Sequence, residues 1–495
     1  MIENVHIGLS VALTLPNLVF AIIGTAVGIV IGALPGLTAT MGIALLVPAT
    51  FMMSPVTGLI MLSGIYCGAI YGGSISGILV NVPGTAAAIV TMMDGNKMTQ
   101  KGEAKRALST AVLASFVGGF LSAAALLCLS PILANIALRF GPPEYFSLAL
   151  FGMCMISSLT TRGGSVLKGI FVGFFGIFIS TVGMDPCLGI ARYTFDTTNL
   201  MGGFSLVPVL IGVFSIPEAL ELATSKSFSK ISVQQIEGSL FLELSEYCRM
   251  TAIFVKSSII GIILGILPAV GPETAPFIAY PEAKRSSKHP ERFGTGIPDG
   301  VVAAEAANNG ATGGSLIPLL TLGIPGSAAA AVYLGALTIH GLLPGPMLFQ
   351  RNPDVVYGLF VGFFVVQFVM LGLGLGGSTF FPKVLRLPTN IIAAFIFLFS
   401  IIGAFAMNSN LFDVWVMLGF GILGFIMKSY GFPLAPIVLG LILGPILEEN
   451  MFSSLAIGHG NPLIFVTRPL SVLILLMAAA SLIASNIRSL RRSSE

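Results

Sequence analysis

Apolar stretches about as long as a bilayer is thick recur from Pro16 to Leu482, and no other feature restricts the fold more. About 20 apolar residues carry a helix across hydrocarbon. Lipid offers the backbone no hydrogen-bond partners, so a crossing segment must be a helix or part of a closed barrel. The period-two alternation of a membrane barrel is absent here, which leaves helix. Charge agrees: 9% of residues are charged, against about a quarter in a soluble domain. The chain reads as an all-α polytopic membrane protein whose first partner is the lipid bilayer.

The 59 glycines and 29 prolines lie largely inside those apolar runs, where they mark close packing or broken helices. Cys67, Cys128, Cys154, Cys187 and Cys248 are far apart, with no CxxC pair and no metal-ligand spacing to the four histidines. No structural disulfide, metal centre or other cofactor is expected. The net charge is +3 and the basic residues lie in short loops, which argues against a nucleic-acid partner. The start, MIENVHIGLS, has no Lys or Arg before the first apolar run, so a removable signal peptide is not expected.

The sequence repeats itself. Gly32-Ala33-Leu34-Pro35 returns as Gly265-Ile266-Leu267-Pro268. Gly72-Gly73-Ser74, eight residues, then Pro83-Gly84-Thr85 and three alanines returns as Gly313-Gly314-Ser315, nine residues, then Pro325-Gly326-Ser327 and three alanines. Pro208, Gly212 and Pro217 share the spacing of Pro436, Gly440 and Pro445. The offsets are 233, 241 to 242, and 228 residues. Three matches in one order exceed what a common Gly, Ala and Leu alphabet produces, and paired halves are a frequent transporter plan.

Loop charge orients the halves, because cytoplasmic loops are enriched in Lys and Arg. Lys97 to Arg106, Lys284 to Arg292 and the tail Arg488, Arg491 and Arg492 are basic. The counterpart of the first, Gly341 to Asp354, has only Arg351, and that of the second, Phe51 to Thr57, has no Lys or Arg. Equivalent loops thus face opposite sides, which predicts two inverted-topology repeats of about seven spans each. The spans fall near 17-34, 38-50, 58-72, 108-134, 145-159, 166-184 and 198-218, then 251-268, 273-283, 299-313, 354-381, 388-406, 411-427 and 433-449. A re-entrant helical hairpin is expected in each half, near 73-93 and 313-340, and one extra C-terminal span near 463-485. The domains are then 1-225 as first repeat, 226-250 as cytoplasmic linker, 251-450 as second repeat, and 451-495 as the last helix with a basic cytoplasmic tail. Lys168, Lys226, Lys230, Lys383, Arg386 and Lys428 fall inside, and Asp185, Asp413, Glu448 and Glu449 outside; Arg139, Arg192 and Arg468 are exceptions. The N-terminus is expected outside and the C-terminus in the cytoplasm.

Proline stops a helix before Val82-Pro83 and Ile324-Pro325, and the following glycine lets the chain reverse. Such a break leaves unpaired carbonyls at one helix end and N–H groups at the next, which suit a cation and an anion. The substrate or ion site is therefore expected at Ser74, Asn81, Pro83, Gly84 and Thr85 with Ser315, Thr321, Pro325, Gly326 and Ser327. Asn81, Thr85, Thr321 and Ser327 are the expected Na⁺ ligands. Pro35-Gly36 and Pro268-Ala269 read as secondary breaks supporting the same region. Glu305 is an ionisable residue at membrane depth, where charge is costly and usually functional; it is read as a candidate to take a coupling proton or help hold a cation, the alternative being plain helix-end polarity. Asn308 and Asn309 are read as substrate ligands.

The stretches GALPGLTATMGIALLVPATF, YCGAIYGGSISGILVNVPG, EAANNGATGGSLIPLLTLGIPGSAAAAVYLGAL and IHGLLPGP resemble the large membrane subunit of the tripartite tricarboxylate transporters, the TctA type, over essentially the whole chain. The resemblance implies a bacterial inner-membrane uptake system in which a periplasmic solute-binding protein (TctC type) delivers a carboxylate to two membrane subunits. The large one moves the substrate and its partner is a small subunit (TctB type). A Na⁺ or H⁺ gradient drives uptake rather than ATP, and no Walker GxxxxGK[ST] is present. Ala86 to Ala88 and Ala328 to Ala331 are plainer than the family's polar mixtures. An anion channel built on broken helices is the first alternative. A membrane enzyme is the second, but no Ser with a nearby base, Asp pair or HExxH supports it.

Overall fold

The computed structural model describes residues 2–159, 166–224, 243–268, 270–377, 380, 385 and 388–493. Lys226, Lys230, Ala269, Lys383, Arg386 and most of the expected 226-250 linker lie outside the described residues. The described chain is almost wholly helical: α1 Ile2–Ala12, α2 Leu15–Ala33, α3 Ala39–Thr50, α4 Pro55–Val80, α5 Ala88–Gln100, α6 Ala104–Ala137, α7 Pro142–Leu159, α8 Val166–Ser180 and α9 Leu206–Thr224. Then come α10 Leu244–Ile266, α11 Gly271–Ser286, α12 Pro298–Leu322, α13 Ala328–Ile339, α14 Pro346–Arg351, α15 Pro353–Gly376, α16 Thr389–Asn408, α17 Leu411–Ser429, α18 Ala435–Ile457, α19 Ile464–Thr467 and α20 Pro469–Ser493. A two-residue antiparallel pair, β1 Gly183–Met184 with β2 Ala191–Arg192, interrupts residues 181–205, part of which was expected to be helical.

Nine of the described helices are long and apolar enough to cross a membrane. The fold class is thus a multi-pass helical membrane protein. Helices α3 and α13, with 12 residues each, extend only about 18 Å. They fall short of a full crossing by themselves.

Two compact units are woven from the chain. The first takes Met1–Ala134 and Glu218–Phe399, the second Asn135–Pro217 and Ser400–Glu495. Within the first unit, α2 packs on α4 and α10 on α12 through glycines that let backbones touch. A methyl on Gly28 or Gly32 would strike the carbonyls of Ile65 or Ala69, and one on Gly261 or Gly265 those of Ala307 or Ala311. Gly72 meets the Ile29 carbonyl as Gly314 meets that of Ile262, and Gly68 meets Thr25 as Gly310 meets Ser258. These pairs correct the sequence register. The two halves match at a constant 242 residues from Gly68 and Gly310 to Gly84 and Gly326, so Gly72-Gly73 aligns with Gly314-Ser315, one position beyond the literal Gly-Gly-Ser match.

A second correction concerns the helix boundaries. α4 runs unbroken through Gly72-Gly73-Ser74 and α12 through Gly313-Gly314-Ser315, so residues 58-72 and 73-80 form one helix, as do 299-313 and 314-322. Burial on all sides by neighbouring helices outweighs the weak helix propensity of glycine. The breaks themselves lie where proline puts them.

In the second unit, Gly176 of α8 sits against the Ile437 carbonyl and Gly440 of α18 against that of Gly173. Two of the three arginines that the loop-charge layout leaves as exceptions have partners here. Arg192 makes a two-pronged bond to Glu448 at 2.5 and 2.9 Å, and Arg468 reaches Glu144 at 3.4 Å. Both arginines thus have a carboxylate partner within the second unit.

Candidate functional site

The expected site residues lie in the first unit, mostly on α4, α12 and the breaks that follow them. α4 ends at Asn81 with φ 58° and α12 at Gly323 with φ 74°. Pro83 and Pro325 prevent either helix from continuing. The chain then turns back so that the Gly84 N–H donates to the Gly73 carbonyl at 3.1 Å and the Gly326 N–H to the Ser315 carbonyl at 3.3 Å. A methyl on Gly84 would strike the Gly32 carbonyl, and one on Gly326 the Gly265 carbonyl. Each break is thereby seated on the end of α2 or α10, beside the secondary breaks at Pro35-Gly36 and Pro268.

The second break is a closed hydroxyl network. Tyr66 Oη on α4 lies 3.0 Å from both Ser315 Oγ and Ser327 Oγ. Ser327 also caps α13 by accepting the Ala330 N–H at 3.0 Å. One turn away, Ser63 Oγ is 3.0 Å from Tyr333 Oη, which donates to the Leu59 carbonyl at 2.7 Å. Thr321 turns its hydroxyl back onto the Ile317 carbonyl at 2.7 Å.

The first break differs. Thr85 Oγ1 is buried without a hydrogen-bond partner, α5 has no side-chain cap, and Asn81 is exposed. Ser74 donates to the Tyr71 carbonyl at 2.7 Å. Glu305 on α12 is fully buried; its Oε1 accepts from Thr91 of α5 at 2.5 Å and its Oε2 from Ser115 of α6 at 2.8 Å. Among the described residues no lysine, arginine or histidine pairs with it. Asn308 and Asn309, one turn along, are 0% exposed, and all four of their side-chain polar atoms lack partners. Gln367 of α15 gives its Nε2 to Cys67 Sγ at 3.3 Å and leaves Oε1 unpaired. Buried polar groups are normally satisfied because leaving one unmade costs about 1–3 kcal/mol. Asn308, Asn309 and Gln367 together leave five such atoms without a partner in the first unit.

Tyr66, Ser63, Thr91, Ser115, Tyr333 and Gln367 escaped the sequence reading. The 242-residue register would have found some of them, since it pairs Ser63 with Glu305 and Thr91 with Tyr333. Asp94 also escaped it, hidden just before a basic loop. Buried at 0% exposure, its carboxylate accepts from Tyr280 Oη at 2.7 Å and from the N–H groups of Gly294, Gly296 and Ile297 at 2.9, 2.8 and 3.1 Å. Lys97 donates to the Gly294 carbonyl and Lys101 to that of Gly296. The C-terminal half of α5 and the segment that leads into α12 are thus locked together. By contrast, a cavity of about 350 Å³ lined by Ala26, Ile29, Val30, Ala33, Gly372, Leu373 and Phe380 is apolar and holds none of these groups.

The family described as the Tripartite tricarboxylate transporter TctA family matches residues 18–439. An "Uncharacterized 52.8 kDa protein in TAR-I ttuC' 3'region" of Agrobacterium vitis is 38% identical over 491 residues, which is 99% of this chain and 97% of that protein. An "Uncharacterized protein in TAR-II ttuC' 3'region" of the same organism is 35% identical over 231 residues, 47% of this chain and 96% of that protein. No solved structure matches.

Proposed function

This chain belongs to the tripartite tricarboxylate transporter TctA family, and on that premise we propose that it is the transport-catalysing large subunit of a binding-protein-dependent secondary transporter. It takes up tricarboxylates or related organic anions across a bacterial inner membrane, with a small TctB-type membrane subunit and a periplasmic TctC-type receptor. The observation that carries the reading is the fully buried, uncompensated Glu305 beside the unpaired amides of Asn308 and Asn309. A carboxylate in a water-poor interior needs a proton or a cation to offset its charge. A carboxylate substrate adds negative charge to the same place, so uptake has to bring the offsetting ion along. That ion is Na⁺ or H⁺, held at Glu305 and the hydroxyls around it, while asparagine N–H groups donate to the substrate.

The layout proposed with it has two inverted repeats whose breaks form re-entrant hairpins, the N-terminus outside and the C-terminus inside. The joining of Lys97 and Lys101 to residues 294 and 296 supports it, because both basic loops then meet on one side. The test is reconstitution of the three-component complex in liposomes, with citrate uptake measured under imposed Na⁺ or pH gradients. Gradient-dependent accumulation, lost in Glu305→Gln, is expected. No accumulation under either gradient, or single-channel currents without accumulation, refutes it.

A further inference from the structure

The two breaks are copies of each other in backbone but not in chemistry, and the difference has a direction. At the common offset of 242 residues, Gly73 corresponds to Ser315, Thr85 to Ser327, and Asn308 to Tyr66. Around the second break every hydroxyl is used: Tyr66 Oη touches Ser315 and Ser327, and Ser327 caps α13. At the corresponding first-break positions the serine is a glycine, the Thr85 hydroxyl has no partner, the helix has no side-chain cap, and the amide standing where Tyr66 would stand is unpaired at both atoms. The neighbouring pair repeats the contrast. Ser63 with Tyr333 is neutral, whereas its counterpart is Glu305 with Thr91.

We propose that the chain carries one ligand site rather than two: the first break with Asn308 receives a carboxylate oxygen of the substrate, and the second break is permanently occupied by the Tyr66 hydroxyl in that oxygen's place. The phenol fills its position with a ring and a hydroxyl. Asparagine at the corresponding position is shorter and offers a donor and an acceptor, both without a partner. Only the identity of the ligand as a carboxylate rests on the transport reading; the inequality of the two breaks does not.

The test is thiol labelling in membranes of the full chain, with Cys67, Cys128, Cys154, Cys187 and Cys248 replaced by alanine or serine. Thr85→Cys and Ser327→Cys are compared with a small hydrophilic methanethiosulfonate. Position 85 is expected to react at least about tenfold faster than position 327. Adding Tyr66→Ala is expected to open position 327. Tyr66→Phe keeps the ring, so it is expected to leave position 327 closed, and it guards against a folding failure of the alanine variant. Equal rates at the two positions, reaction at neither, or faster reaction at 327 overturns the proposal. Loss of gradient-driven citrate uptake with the labelling asymmetry intact removes the transport reading and leaves the single-site assignment standing.

Discussion

Helices α4 and α17 are both long and apolar enough to cross a membrane, yet they live in different surroundings. The apolar window of α4 is 100% buried by other parts of the chain, that of α17 only 33%. On α17, Trp415 and Ile422 are 71% and 56% exposed. On α4 and on α12 the buried residues are glycines, alanines, serines and tyrosines as well as large aliphatics. In lipid, helices are not driven together by water, so association rests on close backbone contact and interhelical hydrogen bonds. Within the first unit the helices rich in small and hydroxylated residues, α4 and α12, are enclosed by their neighbours, whereas α17 of the second unit keeps large apolar side chains at its surface.

The sharpest way to break that contrast is to crowd each helix type. Gly326→Val would press into the Gly265 carbonyl and the Ser315 backbone. Overpacking of this kind costs about 1–3 kcal/mol where side chains can yield; backbone atoms cannot, so loss of folded protein in detergent is expected. Gly419→Ala on α17 meets nothing within 4 Å, and folded protein in detergent is expected to be retained, with its stability unchanged or raised by up to about 1 kcal/mol through helix propensity. Equal effects of the two would mean that α17 is packed in the native state.

Polar groups sharpen the same comparison. Asp94→Ala strands three backbone N–H groups and the Tyr280 hydroxyl, and a loss of about 3 kcal/mol in thermal or denaturant unfolding is expected. Glu282→Ala removes a carboxylate paired with the exposed Lys256 and Arg285, and because exposed ion pairs are screened by solvent no measurable loss is expected. A similar cost for both would mean that the Asp94 clamp is replaceable by water.

The parts legible in the sequence are those set by local chemistry. Val82-Pro83 and Ile324-Pro325 mark helix ends because each proline follows a residue in the left-handed conformation, Asn81 or Gly323, whereas Pro318 lies inside α12 without ending it. Asn308, Asn309 and Glu305 stood out because amides and a carboxylate inside apolar sequence have few bland explanations. Tyr66 was illegible because its partners are 249 and 261 residues away, and Asp94 because its partners are 186 to 203 residues away. The literal Gly-Gly-Ser match misled by one position: packing of Gly72 and Gly314 against carbonyls, not the look of the string, sets the register. Whether a glycine run breaks a helix likewise depends on what surrounds it, and α4 and α12 are surrounded.

The smallest effect is expected in the second unit, where the turn after α8 is held by side chains rather than by burial of a helix. Asp185 accepts the N–H groups of Cys187 and Leu188 at 2.7 and 3.0 Å, and Arg192 stands 3.4 Å away. Those backbone bonds first, and then the guanidinium, hold the carboxyl below the usual carboxylate range. A carboxyl whose pKa is lowered by folding stabilises the folded turn above its unfolded pKa of about 3.9 and loses that contribution as the pH falls through the depressed value. Amide exchange at residues 185–192, corrected for the intrinsic pH dependence, is therefore expected to speed up a few-fold on acidification below the usual carboxylate range. Asp185→Asn is expected to flatten that response while leaving exchange in α4 and α12 unchanged. If the variant kept the acid response, the Asp185 carboxyl would not be what holds the turn.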